Sequence, residues 1–209
     1  MPSLICFFGP DGSGKTTLAK ALARELDDRS FNVRISWMRG THTLASMLAR
    51  FLSKFTTFRG SDNPYYGISI PNHMKRLWQL MEFLSVLPIL LVRFMLPSFL
   101  GYTVIAERYI PDFLVWVVII TDDPNYLSSI SARFLLALAL RAKVKIYVKA
   151  DFQKLIERRM DMNPSFIMKQ LILYEKLAEC MDSLTLDTTN RSVNESMNIL
   201  LAFLDKNLK

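Results

Sequence analysis

A three-layer α/β domain, a five-stranded parallel sheet with helices on both faces, is what this sequence predicts. Two observations carry the prediction. Short apolar runs alternate with longer segments whose apolar residues recur at helical spacing, an order that calls for parallel strands joined by right-handed helical crossovers. The 209-residue chain is 51% hydrophobic and 22% charged, which excludes disorder and supplies one sizeable core.

The elements follow in order. Residues 3–8 read as the first strand and 15–29 as a helix whose inner face is Leu18, Leu22 and Leu26. Residues 32–37 are the second strand, after which Leu44, Met47, Leu48, Phe51, Leu52 and Phe55 recur at helical spacing. The Gly/Pro/Ser/Asn-rich stretch 56–72 is a connection and the longest candidate for a mobile loop. A helical stretch broken by Pro88 and Pro97 then runs to about Phe99. Residues 102–106 are the third strand, 112–120 and 128–141 are helical, and 144–148 form a fourth strand. The alternation of Lys143, Lys145, Tyr147 and Lys149 makes one face of that strand less buried. Asp151 is placed to cap the next helix, another helix covers 165–181, and 184–186 is a short fifth strand. Ser192 and Glu195 form a capping box before the last helix, whose face is Met197, Leu200, Leu201 and Leu204. With no repeat and no linker, residues 1–209 read as a single domain.

Charge adds a direction. Lys plus Arg number 26 against 19 acids, a net charge of +7. Nine basic and three acidic residues fall between Arg34 and Arg108, so six of the seven excess charges lie there. An anionic partner is favoured. Arg50, Lys54 and Arg59 could form a nucleic-acid face, but no nucleic acid is expected. Cys6 and Cys180 lie in apolar strand and helix patterns without metal-ligand spacing, and are expected to be buried, reduced thiols of a cytoplasmic protein. In the most apolar region the uncharged runs 83–92 and 94–106 are split by Arg93, and neither reaches the ~18 residues of a membrane span. The chain is expected not to be transmembrane.

Gly9-Pro10-Asp11-Gly12-Ser13-Gly14-Lys15-Thr16, followed by Thr17, fits the phosphate-binding loop pattern between an apolar strand and an amphipathic helix. The glycines let the backbone wrap a phosphate with its N–H groups inward, and the helix N-terminus adds its positive end. Lys15 reaches the outer phosphates, and the Thr16 hydroxyl is placed for Mg²⁺. The three-layer fold is thus expected to be that of a P-loop NTPase that binds a nucleoside triphosphate.

Two further constellations bear on the acceptor. Glu107-Arg108-Tyr109 ends the third strand, where open α/β sheets bind ligands. Glu107 could hold Mg²⁺ through its water shell and Arg108 could clamp an acceptor phosphate, or the two could close the strand as a structural ion pair. Glu157-Arg158-Arg159 reaches towards Asn163-Pro164, and either a closing arginine lid near 157–166 or a solvated helix face fits that pattern.

The chain resembles the thymidylate kinase family of nucleoside monophosphate kinases. The resemblance rests on residues 8–17 with their acidic Asp11 and double threonine. Glu107-Arg108-Tyr109 adds to it, in the place of an Asp-Arg-Tyr motif, as do Leu155-Ile156-Glu157-Arg158 at the lid and Leu186-Asp187-Thr188-Thr189 beside the adenine site. The resemblance implies that Asp11 faces the acceptor sugar, Lys15, Thr16 and the loop hold ATP and Mg²⁺, and Glu107 assists the metal. It also implies that Arg108 and Arg39 hold the acceptor phosphate and that Arg158 or Arg159 is the catalytic lid arginine. Phe83 would stack on the acceptor base, with Val86 and Leu87 where the family carries an arginine. Trp116 stands near the place of an aromatic that screens the sugar, although an ordinary core tryptophan reads equally well. A homodimer is also implied.

The expected activity is therefore ATP-dependent phosphoryl transfer to a nucleoside monophosphate, dTMP first. The alternatives are a P-loop kinase with a different small-molecule acceptor and a non-enzymatic nucleotide-binding switch.

Overall fold

A strand without polar residues is stable only where both of its faces are covered, and Leu-Ile-Cys-Phe-Phe is such a strand. It forms β1 (Leu4–Phe8) at the centre of the sheet, where Ile5 pairs with Ile105 on one side and Val144 on the other. The structure, a computed structural model, describes residues 3–38, 44–58, 60, 68–160 and 162–207. Among these, β2 (Val33–Trp37), β3 (Thr103–Arg108), β4 (Val144–Lys149) and β5 (Leu184–Asp187) complete a five-stranded parallel sheet in the order β2-β3-β1-β4-β5.

Alternate residues of the strands feed two cores. Ile5, Phe7, Ile105 and Ile146 pack against Leu18 and Leu22 of α1 (Lys15–Asp28) and Leu200 and Leu204 of α9 (Val193–Asn207). Cys6, Phe8, Val104 and Tyr147 face the opposite layer. That layer is built from α3 (Lys75–Leu90), α5 (Ile110–Thr121), α6 (Ile130–Ala139) and α8 (Pro164–Cys180). Each fully buried Ile, Leu or Phe contributes about 1.5–3 kcal/mol, so these two layers are the main source of stability. Helices α2 (Leu44–Leu52), α4 (Leu96–Phe99) and α7 (Phe152–Arg158) complete the order.

The expected elements are present, with instructive differences. β3 continues past the apolar run to Arg108, because Trp37 of β2 pairs with Arg108 and carries the ladder two residues further. Pro88 and Pro97 do not break the helical stretch. Pro88 lies inside α3, a π-helical segment follows at Leu91–Met95, and α4 continues with Pro97 in its first turn, where a missing N–H is tolerated. One carbonyl of that segment, Arg93 O, accepts a 2.7 Å bond from Ser36 Oγ of β2. The unbroken run also corrects the expectation that no stretch is long enough to span a membrane. Among the described residues one run, Asn72–Phe99, is long and apolar enough to do so by length and composition. Val86, Leu90 and Phe94 on it are core residues packed on the sheet layer, whereas Leu77, Leu84 and Leu91 are exposed.

Smaller corrections have local causes. Cys180 is exposed at the end of α8, while Cys6 is buried as expected. Asp151 stands at the N-cap of α7 without a side-chain cap bond; its backbone N–H donates to Thr189 Oγ1 at 2.9 Å. Tyr147 is buried rather than outward, because Tyr174 of α8 and Phe8 stack on it at 6.4 and 5.5 Å. The capping box does form: Ser192 N–H donates to Glu195 Oε2 at 2.7 Å and Glu195 N–H to Ser192 Oγ at 3.2 Å.

Candidate active site

The turn from β1 into α1 needs glycine for steric reasons. Gly9 has φ 142°, and a Cβ there would run into the Val148 carbonyl oxygen of β4. Gly14, at φ 92°, starts α1 with no side-chain cap. The first N–H groups of the helix are thereby left to an external acceptor, and an anion suits them best.

Lys15 closes the turn from inside. Its Nζ donates to Gly9 O at 2.7 Å, Pro10 O at 2.6 Å and Ser13 Oγ at 3.5 Å. Burial first, and then the charge of Arg108, lower its pKa to about 8. The Thr16 hydroxyl donates to the Glu107 carboxylate. These two hard oxygen donors stand side by side next to the turn, which fits Mg²⁺ bound by two protein oxygens, phosphate and water. Among the described residues no group of three or more His, Cys, Asp or Glu side chains could hold a metal by itself.

Asp11 is the hub of the charges. It is buried and ion-paired to Arg108 of β3, and its second oxygen lies 3.6 Å from Arg159 Nη1. Arg108 Nη1 also lies 3.7 Å from Asp112 Oδ1. Burial pulls the Arg108 pKa down, but Asp11 and Asp112 outweigh it and hold the guanidinium more firmly charged than usual. Burial pushes the Asp112 carboxyl up to about 6 against the pull of Lys15 and Arg108. Its Oδ1 accepts from Tyr174 Oη at 3.0 Å and its Oδ2 from Tyr109 N–H at 3.3 Å. Arg158 lies on the other side of the loop and donates to Gly12 O at 3.0 Å and Thr188 O at 3.2 Å.

Two spaces flank this hub. On the Arg158 side a cleft of about 300 Å³ runs between Gly12–Gly14, Thr17, Thr188 and Arg191. On the Arg108 side a narrow cavity of about 30 Å³ is bounded by Asp11, Arg108, Asp112 and Tyr174 on its polar side. Its other walls are Trp116, Phe166 and the buried Gln170, whose Oε1 has no hydrogen-bond partner among the described residues.

The structure thus brings together Asp11, Lys15, Thr16, Glu107, Arg108, Arg158 and Arg159, with Trp116 on the cavity wall. Arg39 lies outside the described residues. Phe83 is not brought to the cavity: on α3 it meets Phe134 of α6 edge to face at 6.0 Å, and the phenylalanine that lines the cavity is Phe166. Sequence reasoning missed Asp112, Gln170 and Tyr174. Asp112 carried a signal, four residues after Arg108 at the start of a helix. Gln170 and Tyr174 sit on one face of α8 and carried none.

Comparison with known proteins agrees with this geometry at the level of fold. A model of the ATPase family associated with various cellular activities (AAA) matches residues 5–77, a segment that contains the glycine-rich turn but is less than half of the chain. No curated protein matches the sequence. Among solved structures, a thymidylate kinase from Candida albicans superposes with a TM-score of 0.64 over 99% of this chain and 92% of that one, at 15% identity. The fold is that of the P-loop NTPases. At such low identity the likeness speaks for the fold alone.

Proposed function

We propose that this chain is an ATP- and Mg²⁺-dependent kinase that transfers the γ-phosphoryl group of ATP to the phosphate of a nucleoside monophosphate, with dTMP the first candidate. One observation carries the reading. Asp11, inside the phosphate loop, is held between the strand-end Arg108 and Arg159 of the α7–α8 connection, at the junction of the two spaces. Transfer between two bound phosphates needs such a junction, where positive charge can gather on the group in flight.

In this reading the loop N–H groups and Lys15 hold the ATP phosphates, and the nucleoside lies in the cleft beside Thr188 and Arg191. Thr16 and Glu107 hold Mg²⁺, which when bound neutralises charge on the β- and γ-phosphates. An oxygen of the acceptor phosphate attacks Pγ, the bond from Pγ to the β-bridging oxygen breaks, and ADP leaves. Arg108 orients the acceptor phosphate, and the segment after Arg158 acts as the lid. At about 30 Å³ the acceptor-side cavity must open, and an entering phosphate would replace Asp11 as the partner of Arg108 and Arg159. Release of those pairs and movement of Phe166 would widen it. Gln170 Oε1 then offers an acceptor to a hydroxyl or N–H of the ligand.

A second reading keeps the kinase and changes the acceptor. It is favoured by Phe83, which packs on Phe134 instead of facing the cavity. ADP release coupled to a panel of nucleoside monophosphates tests both. Release with dTMP alone supports the first reading, and release with another phosphorylated acceptor supports the second. Undiminished turnover by Lys15→Ala would sink the mechanism.

A further inference from the structure

One cavity with mainly apolar walls lies away from the phosphate loop. It lies at the other end of the sheet, where Ser3 leads into β1 and Lys143 into β4, and has a volume of about 290 Å³. P-loop chemistry uses the carboxyl ends of the strands, so this space belongs to neither of the clefts described above.

Its walls are set by the π-helical segment. Leu90, Phe94 and Met95 turn towards the cavity where the helix widens, and Phe99 of α4 stands at its mouth with 78% of its surface exposed. Wide turns of this kind recur at functional sites, because they re-aim side chains at a cost that a regular helix avoids. The mouth carries two cations, Arg141 and Lys143, both exposed and two residues apart between α6 and β4. Among the described residues around the cavity none is acidic. At its inner wall, Tyr109 packs against Phe94 with the rings tilted by 56° and 4.9 Å between centroids.

We infer that this cavity is a binding site for a single-chain amphiphile with a carboxylate head, of medium chain length. The apolar walls take the alkyl chain, and a pocket of this size encloses one short chain and no larger lipid. Arg141 supplies a two-pronged donor for the carboxylate, and Lys143 a second positive charge, at a water-facing mouth. A neutral amphiphile would forgo both, and a cationic one would meet like charge. The inference stands apart from the kinase reading: of the described residues around the cavity, only Tyr109, whose backbone N–H meets Asp112, borders the phosphate site.

Calorimetric titration of the full chain with sodium decanoate tests it. Saturable one-to-one binding is expected, with octanoate weaker by roughly tenfold because each methylene adds a constant increment. Arg141→Ala/Lys143→Ala should weaken decanoate by about tenfold or more and leave 1-decanol unchanged. Ser98→Trp, which places bulk in the cavity from the exposed end of α4, should abolish binding of both while melting remains cooperative. Failure of wild-type protein to bind decanoate would overturn the inference, as would binding that neither variant changes. Vesicles of phosphatidylglycerol separate the two sources of such a head group. Flotation that the double variant loses, with no binding of free decanoate, would assign the cations to a membrane surface and overturn the site.

Discussion

Lys15→Met, measured against pH, tests the electrostatics of the phosphate loop directly. In the folded protein Lys15 is buried, its hydrogen bonds among the described residues go to neutral oxygens, and its pKa is lowered to about 8 from 10.5. At about 1.4 kcal/mol per pH unit this difference corresponds to roughly 3 kcal/mol held against the ammonium by the fold. The sign follows from proton counts. Between pH 8 and 10.5 the unfolded chain keeps the Lys15 proton and the folded chain releases it, so wild-type stability rises with pH across that window. Below pH 8 both states are protonated and the full penalty remains. Urea unfolding of wild type and Lys15→Met at pH 7.5 and pH 10 should show the wild type gaining roughly 2–3 kcal/mol relative to the variant on going to the higher pH. A bound triphosphate supplies the missing negative charge, raises the pKa and makes nucleotide binding near pH 8 take up a proton. Identical pH slopes for the two proteins would refute the reasoning, because Lys15 would then titrate alike folded and unfolded.

Three other predictions follow from the same geometry. Arg159→Ala should lower kcat by about 10³-fold or more, while Arg158→Ala should act mainly on the KM for ATP, since Arg159 touches Asp11 and Arg158 touches Gly12 and Thr188; steady-state kinetics with the active acceptor separate the two, and the reverse pattern would exchange their roles. Asp112→Asn should remove a pH-dependent component of stability. The folded carboxyl at about 6 lies above the ordinary 3.8, so its contribution is complete below pH 3.8 and is lost as pH rises through 6. Unfolding of wild type and variant across pH 3.5–7 checks this, and acceptor binding should weaken in the variant as Arg108 loses its second carboxylate partner. Tyr147→Phe should leave stability unchanged or raise it by about 1 kcal/mol, because the buried Tyr147 hydroxyl lacks a hydrogen-bond partner among the described residues; urea unfolding would show a clear loss if that hydroxyl were bonded.

Some of the site was legible before any coordinates. The glycine-rich turn is local chemistry: the positive φ of Gly9, Gly12 and Gly14, the buried Lys15 and the Thr16 hydroxyl all follow from nine consecutive residues between a strand and a helix. Arg108 was legible because a strand that is apolar on both faces ends in charge only where the chain leaves the core. Arg158 and Arg159 were ambiguous, since adjacent arginines on a helix face water as often as a ligand. In the structure their contacts with Gly12, Thr188 and Asp11 place both side chains at the phosphate loop. Phe83 was misjudged because its distance along the chain from Arg108 says nothing about the rotation of α3, which turns its ring to Phe134.

What the sequence by itself determined is the part that short range controls. The alternation of apolar runs and helical spacing requires a parallel sheet covered on both faces, and the glycine pattern requires an anion-binding turn at the end of β1. Tertiary structure decided what depends on long-range packing. The Asp112–Tyr174 pair joins residues 62 apart in the chain. Gln170 reaches its cavity only because α8 lies across α5, and the π turn forms where β2 and Arg93 meet. Local backbone preferences are encoded within a few residues. The facing of one side chain towards another is set by how whole elements rotate and pack, and that information is distributed over the entire core.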